Sequence, residues 1–304
     1  MYVHFIPPLP PGLYSFLIAF SSNARPIVDA HGRIIAILAG RPNDPSYVAD
    51  VQRAYEAMAQ EREQAKFAAD MSRHRRGPFV VLNCGIGYSK GQRVPAHMNN
   101  GEHAAILQRL LGNRNVVRMA TYASAAFNLW APKVYRYYRD HDERLRARFS
   151  DLEPNFPKSV FSAAAFNFGP NVWTFKHRDV LNAPFGMCTI TAMGPFDATK
   201  GGHIILWELK LVIEFPAAST ILIPSATITH SNLPVQDGDE RASFTQYTGG
   251  GLMRFVDNGF RTEAELAAQD PAEYERLAQL KESRWKTGID LLSTVEELLE
   301  DVEP

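Results

Sequence analysis

Two cysteines in 304 residues, Cys84 and Cys188, leave nothing from which to build a disulfide framework, and a reducing intracellular compartment is the expectation. Long apolar runs are missing too: none reaches the roughly 18 residues that a membrane-crossing helix needs. GLYSFLIAF (12–20) has the length of a secretory core, yet no basic stretch precedes it and no cleavage pattern follows. It reads as a first strand or buried turn. Charge of one sign is equally scarce, with a formal net charge of −1, so the chain is not a broadly basic nucleic-acid coat. Contact with a polyanion would need a local patch. Internal repeats and low-complexity linkers are absent, which excludes a solenoid and a string of tethered modules.

What is present reads as a globular α+β chain. PPLPPG (7–12) is an extended lead-in, because each proline fixes φ and lacks an N–H. Residues 24–42 alternate around His31-Gly32 as a β-hairpin. A helix is predicted over 46–74, stopped by Gly77-Pro78, then a short strand over 79–84. Residues 102–112 and 115–149 carry helical patterns, the latter broken near Ala131-Pro132. From about 156 the texture changes to short runs rich in Ile, Thr, Val and Phe: VFSAAAFNF, MCTITAM, HIILWEL, LVIEF, TILIP, ATITH, SFTQY and GLMRF. That spacing argues for an antiparallel sandwich or jelly roll, and residues 262–300 return to acidic amphipathic helix. The expected plan is a hairpin and helical flank (1–155), a β core (156–260) and a helical cap (261–304), packed as one unit and monomeric.

The chemistry concentrates in FKHRDVLN (175–182). His177 and Asp179 are two residues apart, so on an extended chain both side chains point to one face, as a metal requires. His141 and Glu143 have the same spacing but lie in a helical run, where i and i+2 diverge. A facial triad needs one more ligand, with its other positions open. TILIPSATITHSN supplies His230 at the end of a predicted strand, 51 residues after Asp179. Eleven residues on, Arg241 opens RASFTQY, where its planar fork can hold a carboxylate. Each residue alone is as readily a core or surface polar group of an ordinary β-sandwich. The ordered set is far more specific.

That order resembles the 2-oxoglutarate/Fe(II) dioxygenases, and HRDxxN more narrowly resembles the TET/JBP family of nucleobase dioxygenases. FNFGP, GGHIILWEL, LIPSA, HSN and SFTQY are similar to its basidiomycete fungal branch, best over residues 156 to 260. LNCGIGYSKGQRVP (82–95) and IVDAHGRIIAILAGRP (27–42) share the likeness. A cysteine-rich region and a long insert, features of the animal members, are missing, which implies a small single-module enzyme.

The resemblance implies a double-stranded β-helix core with Fe(II) held by His177, Asp179 and His230, and with 2-oxoglutarate and O2 as co-substrates. It implies that Arg241 and Ser243 hold the distal carboxylate of 2-oxoglutarate and His203 its other end. Asn182 would bond the edge of a flipped base and Tyr247 would stack on it. The partner implied is methylated double-stranded DNA, in a nuclear setting. Either 5-methylcytosine or N6-methyladenine suits the chemistry. SRHRR (72–76) with KGQR (90–93), or RYYRDHDERLRAR (136–148), could meet phosphates, although such runs are commonly solvated helix faces. Two other readings stand beside this one: an oxygenase acting on a protein or small molecule, and a non-catalytic nucleic-acid-binding β-domain.

Overall fold

Within GLYSFLIAF, residues Phe16–Ile18 form a first short strand, β1. The computed structural model describes residues 16–89 and 91–300, so PPLPPG and Lys90 of KGQR lie outside the described residues. The alternating segment folds as a hairpin of β2 (Arg25–Val28) and β3 (Ile34–Gly40), with Gly32 at φ 76° in the turn. Helix α1 (Ser46–Ala65) is shorter than its pattern predicts. Lys66 takes a left-handed conformation, and Phe67 then turns inward to meet Phe168 at 5.2 Å between ring centroids. Core packing therefore ends the helix before its charge pattern does.

β4 (Val80–Gly87) and β5 (Ala96–His97) precede three helices, α2 (Ala104–Gly112), α3 (Arg114–Trp130) and α4 (Pro132–Arg148). The expected break falls at Ala131-Pro132, where Pro132 opens α4 at a position that needs no N–H. Asn113 caps α3 by accepting from the N–H groups of Asn115 and Val116. Seven strands follow: β6 (Ala163–Phe168), β7 (Cys188–Met193), β8 (Ile204–Leu206), β9 (Leu211–Ile213), β10 (Thr220–Ile223), β11 (His230–Asn232) and β12 (Ala242–Tyr247). The described residues close with α5 (Gly250–Asp257), α6 (Glu263–Gln269), α7 (Pro271–Asp290) and α8 (Val295–Glu300). GLMRF, expected as a strand, lies in α5 instead. Leu252, Met253, Phe255 and Val256 are all buried, the i, i+3, i+4 stripe of a helix, which a five-residue window conceals.

Among the described residues two sheets result, mostly antiparallel. The larger runs β2-β3-β10-β7-β12-β6-β4-β5 and the smaller β1-β9-β8-β11, with β1 parallel to β9. Strands from before and after residue 155 thus share one sheet. Alternation divides the larger sheet into two faces. Ile37, Leu82, Phe166, Phe244 and Leu222 pack with α1–α4, while Ala36, Ala192, Ile221 and Ile223 pack with Ile204, Leu206 and Ile213 of the smaller sheet. The smaller sheet therefore covers the β3-β10-β7 half of that second face. On the β12-β6-β4 half the same face carries half-buried polar groups, Asn83, Asn167, Thr245 and Tyr247. This polar half is where the site lies. Among the described residues no helix is long and apolar enough to cross a membrane.

Candidate metal centre

Residues 171–179 connect the two sheets. Asn171 bridges to Arg241 at the start of β12, and His177 bridges to His230 at the start of β11. The His177 N–H donates to the His230 carbonyl at 3.0 Å, and the His230 N–H returns the bond at 2.9 Å. This local pairing sets the two rings 4.3 Å apart between centroids. One ligand atom from each of His177, Asp179 and His230 lies within 4.8 Å of the others. His230 opens its strand rather than ending one, because residues 225–229 turn before it.

Both imidazoles are oriented the same way. Nδ1 of His177 donates to the Phe175 carbonyl at 2.7 Å, and Nδ1 of His230 to the Ile228 carbonyl at 3.0 Å. With the proton held on Nδ1, each Nε2 presents its lone pair, the tautomer a metal ligand needs. Burial, reinforced at His177 by the neighbouring His230, lowers the pKa of His177; burial likewise lowers that of His230. Both rings are thus held in the neutral, metal-binding form.

Asp179 is fixed by its N–H, which donates to the Ser225 carbonyl at 2.8 Å. Its Oδ2 lies 3.9 Å from Nε2 of His230, while its Oδ1 is paired with Nη2 of Arg76 at 2.7 Å. That pair is an ion contact without a directed hydrogen bond, since Oδ1 has no geometrically acceptable donor. One oxygen therefore faces the histidines and the other is occupied by a cation. Arg76 belongs to SRHRR, a run whose solvated and functional members look alike in sequence. It faces the triad rather than solvent.

Alternation on β12 delivers the next group. Ala242, Phe244 and Gln246 face the helices, and Arg241, Ser243 and Tyr247 face the other way, as their two-residue steps predict. Arg241 is 1% exposed; its Nη1 donates to the Val172 carbonyl at 2.7 Å, while Nε and Nη2 have no partner among the described residues. The rings of Phe196 and Phe215 sit 5.7 and 5.9 Å from its guanidinium carbon. Burial alone pulls its pKa down to about 10. Gly202, at φ 70°, allows this closeness, since a Cβ there would meet Arg241 Cδ at 3.2 Å and the Phe196 ring at 2.8 Å. The next residue, His203, is 1% exposed with an unpartnered Nδ1. Ser243 accepts from Nδ2 of Asn167 at 3.0 Å.

Asn182 sits in the turn that follows Asp179, and its Nδ2 donates to Ser225 Oγ at 3.0 Å. Tyr247 donates its hydroxyl to Oδ1 of Asn83 at 3.0 Å. Burial, with the nearby Asp179 charge adding to it against Arg76, raises the Tyr247 pKa to about 12, so the phenol stays neutral. Asn83, Asn167 and Ser225 escaped the sequence reading. A polar residue inside the apolar strand VVLNCG was the one available signal for Asn83.

The basic runs divide. Arg73 and Arg75 are exposed and enter no ion pair among the described residues, Arg93 pairs with Glu265 at 2.6 Å, and in RYYRDHDERLRAR Arg139 and Arg146 pair along their own helix. In that helix the His141 and Glu143 pair does diverge. His141 bonds Asp257 at 2.8 Å, whereas Glu143 faces Arg139.

The chain is similar to NgTET1 in complex with 5mC DNA, with a TM-score of 0.52 and 11% identity over 79% of this chain and 84% of that one. Two further likenesses are weaker. An oxidoreductase of the 2OG-Fe(II) oxygenase family from Burkholderia pseudomallei aligns at a TM-score of 0.32 with 17% identity, over 66% of this chain and 88% of that one. OsALKBH1 aligns at 0.34 with 9% identity, over 74% and 97%. No protein-family model matches the chain, and no curated protein matches it.

The fold and the His-Asp-His cluster together support Fe(II), 2-oxoglutarate and O2 as the cofactors. The residues fit them. Three ligand atoms converge with both Nε2 atoms free, and a fully buried guanidinium without a counter-charge is costly until an anion meets it. A dicarboxylate supplies that anion. If Arg76 steadies Asp179 from behind, Arg76→Ala weakens Fe(II) affinity by about 10–100-fold, the usual cost of losing such a support. Anaerobic metal titration checks it. Unchanged or tighter binding would show Arg76 to be a competitor of the metal.

Proposed function

We propose that the protein oxidises the methyl group of a methylated DNA base, using Fe(II), 2-oxoglutarate and O2 on a double-stranded β-helix core. The observation that carries the reading is the placement of Asn182 and Tyr247: one lies in the turn directly after the ligand Asp179, the other on the strand face that begins with Arg241. Amide and aromatic ring beside a metal triad are what an extruded base needs for its edge and its face. The similarity to a protein solved on 5mC DNA is in keeping with it.

In this reading His177, Asp179 and His230 hold the iron. Arg241, with Nε and Nη2 free, takes the distal carboxylate of 2-oxoglutarate, and Ser243 adds its hydroxyl. His203 binds the other end through Nδ1. The bound iron supplies the oxidising power that turns a C–H bond into C–OH as 2-oxoglutarate and O2 become succinate and CO2. Phe196 and Phe215 keep water from the ion pair. Tyr247, neutral and tethered to Asn83, offers a fixed stacking surface, and Asn182, with its amide N–H on Ser225, keeps its oxygen for the base. Hydroxylation of 5-methylcytosine leaves a stable alcohol. Hydroxylation of N6-methyladenine gives a hemiaminal that loses formaldehyde.

The test separates the two side chains. Tyr247→Ala weakens productive DNA binding by about 1–3 kcal/mol on either methylated duplex, since every base has a π-face. Asn182→Ala acts mainly on discrimination between the duplexes, because it removes edge contacts. Product formed per succinate is measured on both duplexes for each variant. Wild-type coupling by both variants on both duplexes would mean that Asn182 and Tyr247 do not form the base pocket, while leaving the metal centre in place.

A further inference from the structure

Exposed apolar side chains crowd the rim of the triad. Leu181 is 78% exposed, Val180 62% and Phe175 47%, all within the eight residues that carry His177 and Asp179. The inward positions are the ligands, and the outward ones are Lys176, Arg178 and Val180. One exposed leucine means little. Here the backbone beneath is unusually fixed. Asp179 N–H donates to the Ser225 carbonyl, Asn182 N–H closes the turn onto the Asp179 carbonyl and Gly250 N–H caps the Leu181 carbonyl, each at 2.8 Å. Phe175 N–H donates to the Arg76 carbonyl at 2.7 Å, and its ring meets Trp173 edge-on at 5.0 Å. The apolar tip is held rigidly in solvent, one residue beyond the carboxylate ligand and directly before Asn182.

Basic side chains flank the segment. Arg73 and Arg75 stand exposed on the stretch whose Arg76 carbonyl anchors Phe175, and Arg178 is exposed between the ligands. An apolar tip flanked by arginines suits stacked bases inside a phosphate backbone better than it suits a uniformly apolar partner.

From this we infer that the Val180–Leu181 turn is a wedge: it enters a DNA duplex beside the target base, packs on the neighbouring bases and fills the place the extruded base leaves, while Arg73, Arg75 and Arg178 take flanking phosphates. The inference rests on the nucleobase reading and adds how the base is brought out. Unstacking costs a few kcal/mol, and a side chain occupying the gap offsets it only when there is a stack to open. The wedge thus matters for duplex and not for single strands.

The experiment compares wild type, Leu181→Ser and the double variant Val180→Ser/Leu181→Ser, with Leu129→Ser, 64% exposed on α3, as a distant control. Each acts on the same methylated oligonucleotide as duplex and as single strand. With metal-free protein, 2-aminopurine at the target position reports extrusion by its fluorescence. The duplex-to-single-strand rate ratio should fall about tenfold or more in Leu181→Ser, as expected when a kcal-scale unstacking cost loses its compensation. The fluorescence rise on duplex should shrink in parallel, and Leu129→Ser should match wild type. An unchanged ratio together with an unchanged fluorescence rise would overturn the wedge while leaving the base reading in place; the turn would then serve a protein partner. Equal losses on duplex and single strand would also overturn it. Wild-type protein that makes succinate but no oxidised base on either substrate would overturn the nucleobase reading, and the wedge with it.

Discussion

His177→Ala abolishes 2-oxoglutarate turnover while the fold survives. The side chain is half-buried on a connecting segment, and its backbone exchanges two hydrogen bonds with His230 that alanine retains. Stability measured in chelator should therefore change little, whereas two remaining ligands do not form a facial triad. Asp179→Ala abolishes turnover too, but it also strands the Arg76 guanidinium 2.7 Å from a missing carboxylate, so some destabilisation accompanies it. Succinate release and thermal unfolding, measured on the same preparations, separate the two effects. Full succinate production by His177→Ala would remove the iron from this cluster.

The second large effect concerns Arg241. Leucine at this position keeps most of the volume and deletes the cation, so the distal carboxylate of 2-oxoglutarate enters a buried pocket without a counter-charge. Breaking a buried pair in this way costs about 3–5 kcal/mol, or a few hundred- to a few thousand-fold in apparent affinity. Arg241→Lys keeps the charge but not the fork, and falls by about 1–3 kcal/mol. A second readout needs no turnover: ligand binding to the native state raises the unfolding midpoint, and 2-oxoglutarate should raise it for the parent and not for Arg241→Leu. An unaltered Michaelis constant in both variants would assign the co-substrate to another cation, with Arg76 the nearest candidate by its place beside Asp179.

Much of this was legible from local pattern. The two-residue steps in HRD and in RASFTQY fix which side chains share a face whatever the sheet does later, so the His177–Asp179 pair and the Arg241–Ser243–Tyr247 row survive into the fold. Pro132 and the Gly32 turn are likewise local, because each acts through its own φ. What stayed hidden is long-range. Arg76 reaches Asp179 across 103 residues of chain, Tyr247 meets Asn83 and Asn182 meets Ser225, and no periodicity encodes those meetings. The parallel pairing of β1 with β9 is of the same kind. GLMRF failed for a different reason: five apolar-rich residues serve a strand and a helix equally, and the burial of Val256 decides between them.

The proposed oxidation of a methylated DNA base at the His177–Asp179–His230 centre is tested most directly by mass spectrometry of nucleosides released from duplexes carrying 5-methylcytosine or N6-methyladenine. Each duplex is incubated with the enzyme, Fe(II), 2-oxoglutarate and ascorbate. The expected products are 5-hydroxymethylcytosine from the first, or unmethylated adenine with formaldehyde from the second, in proportion to succinate and absent with His177→Ala. Succinate formed with neither duplex altered would contradict it.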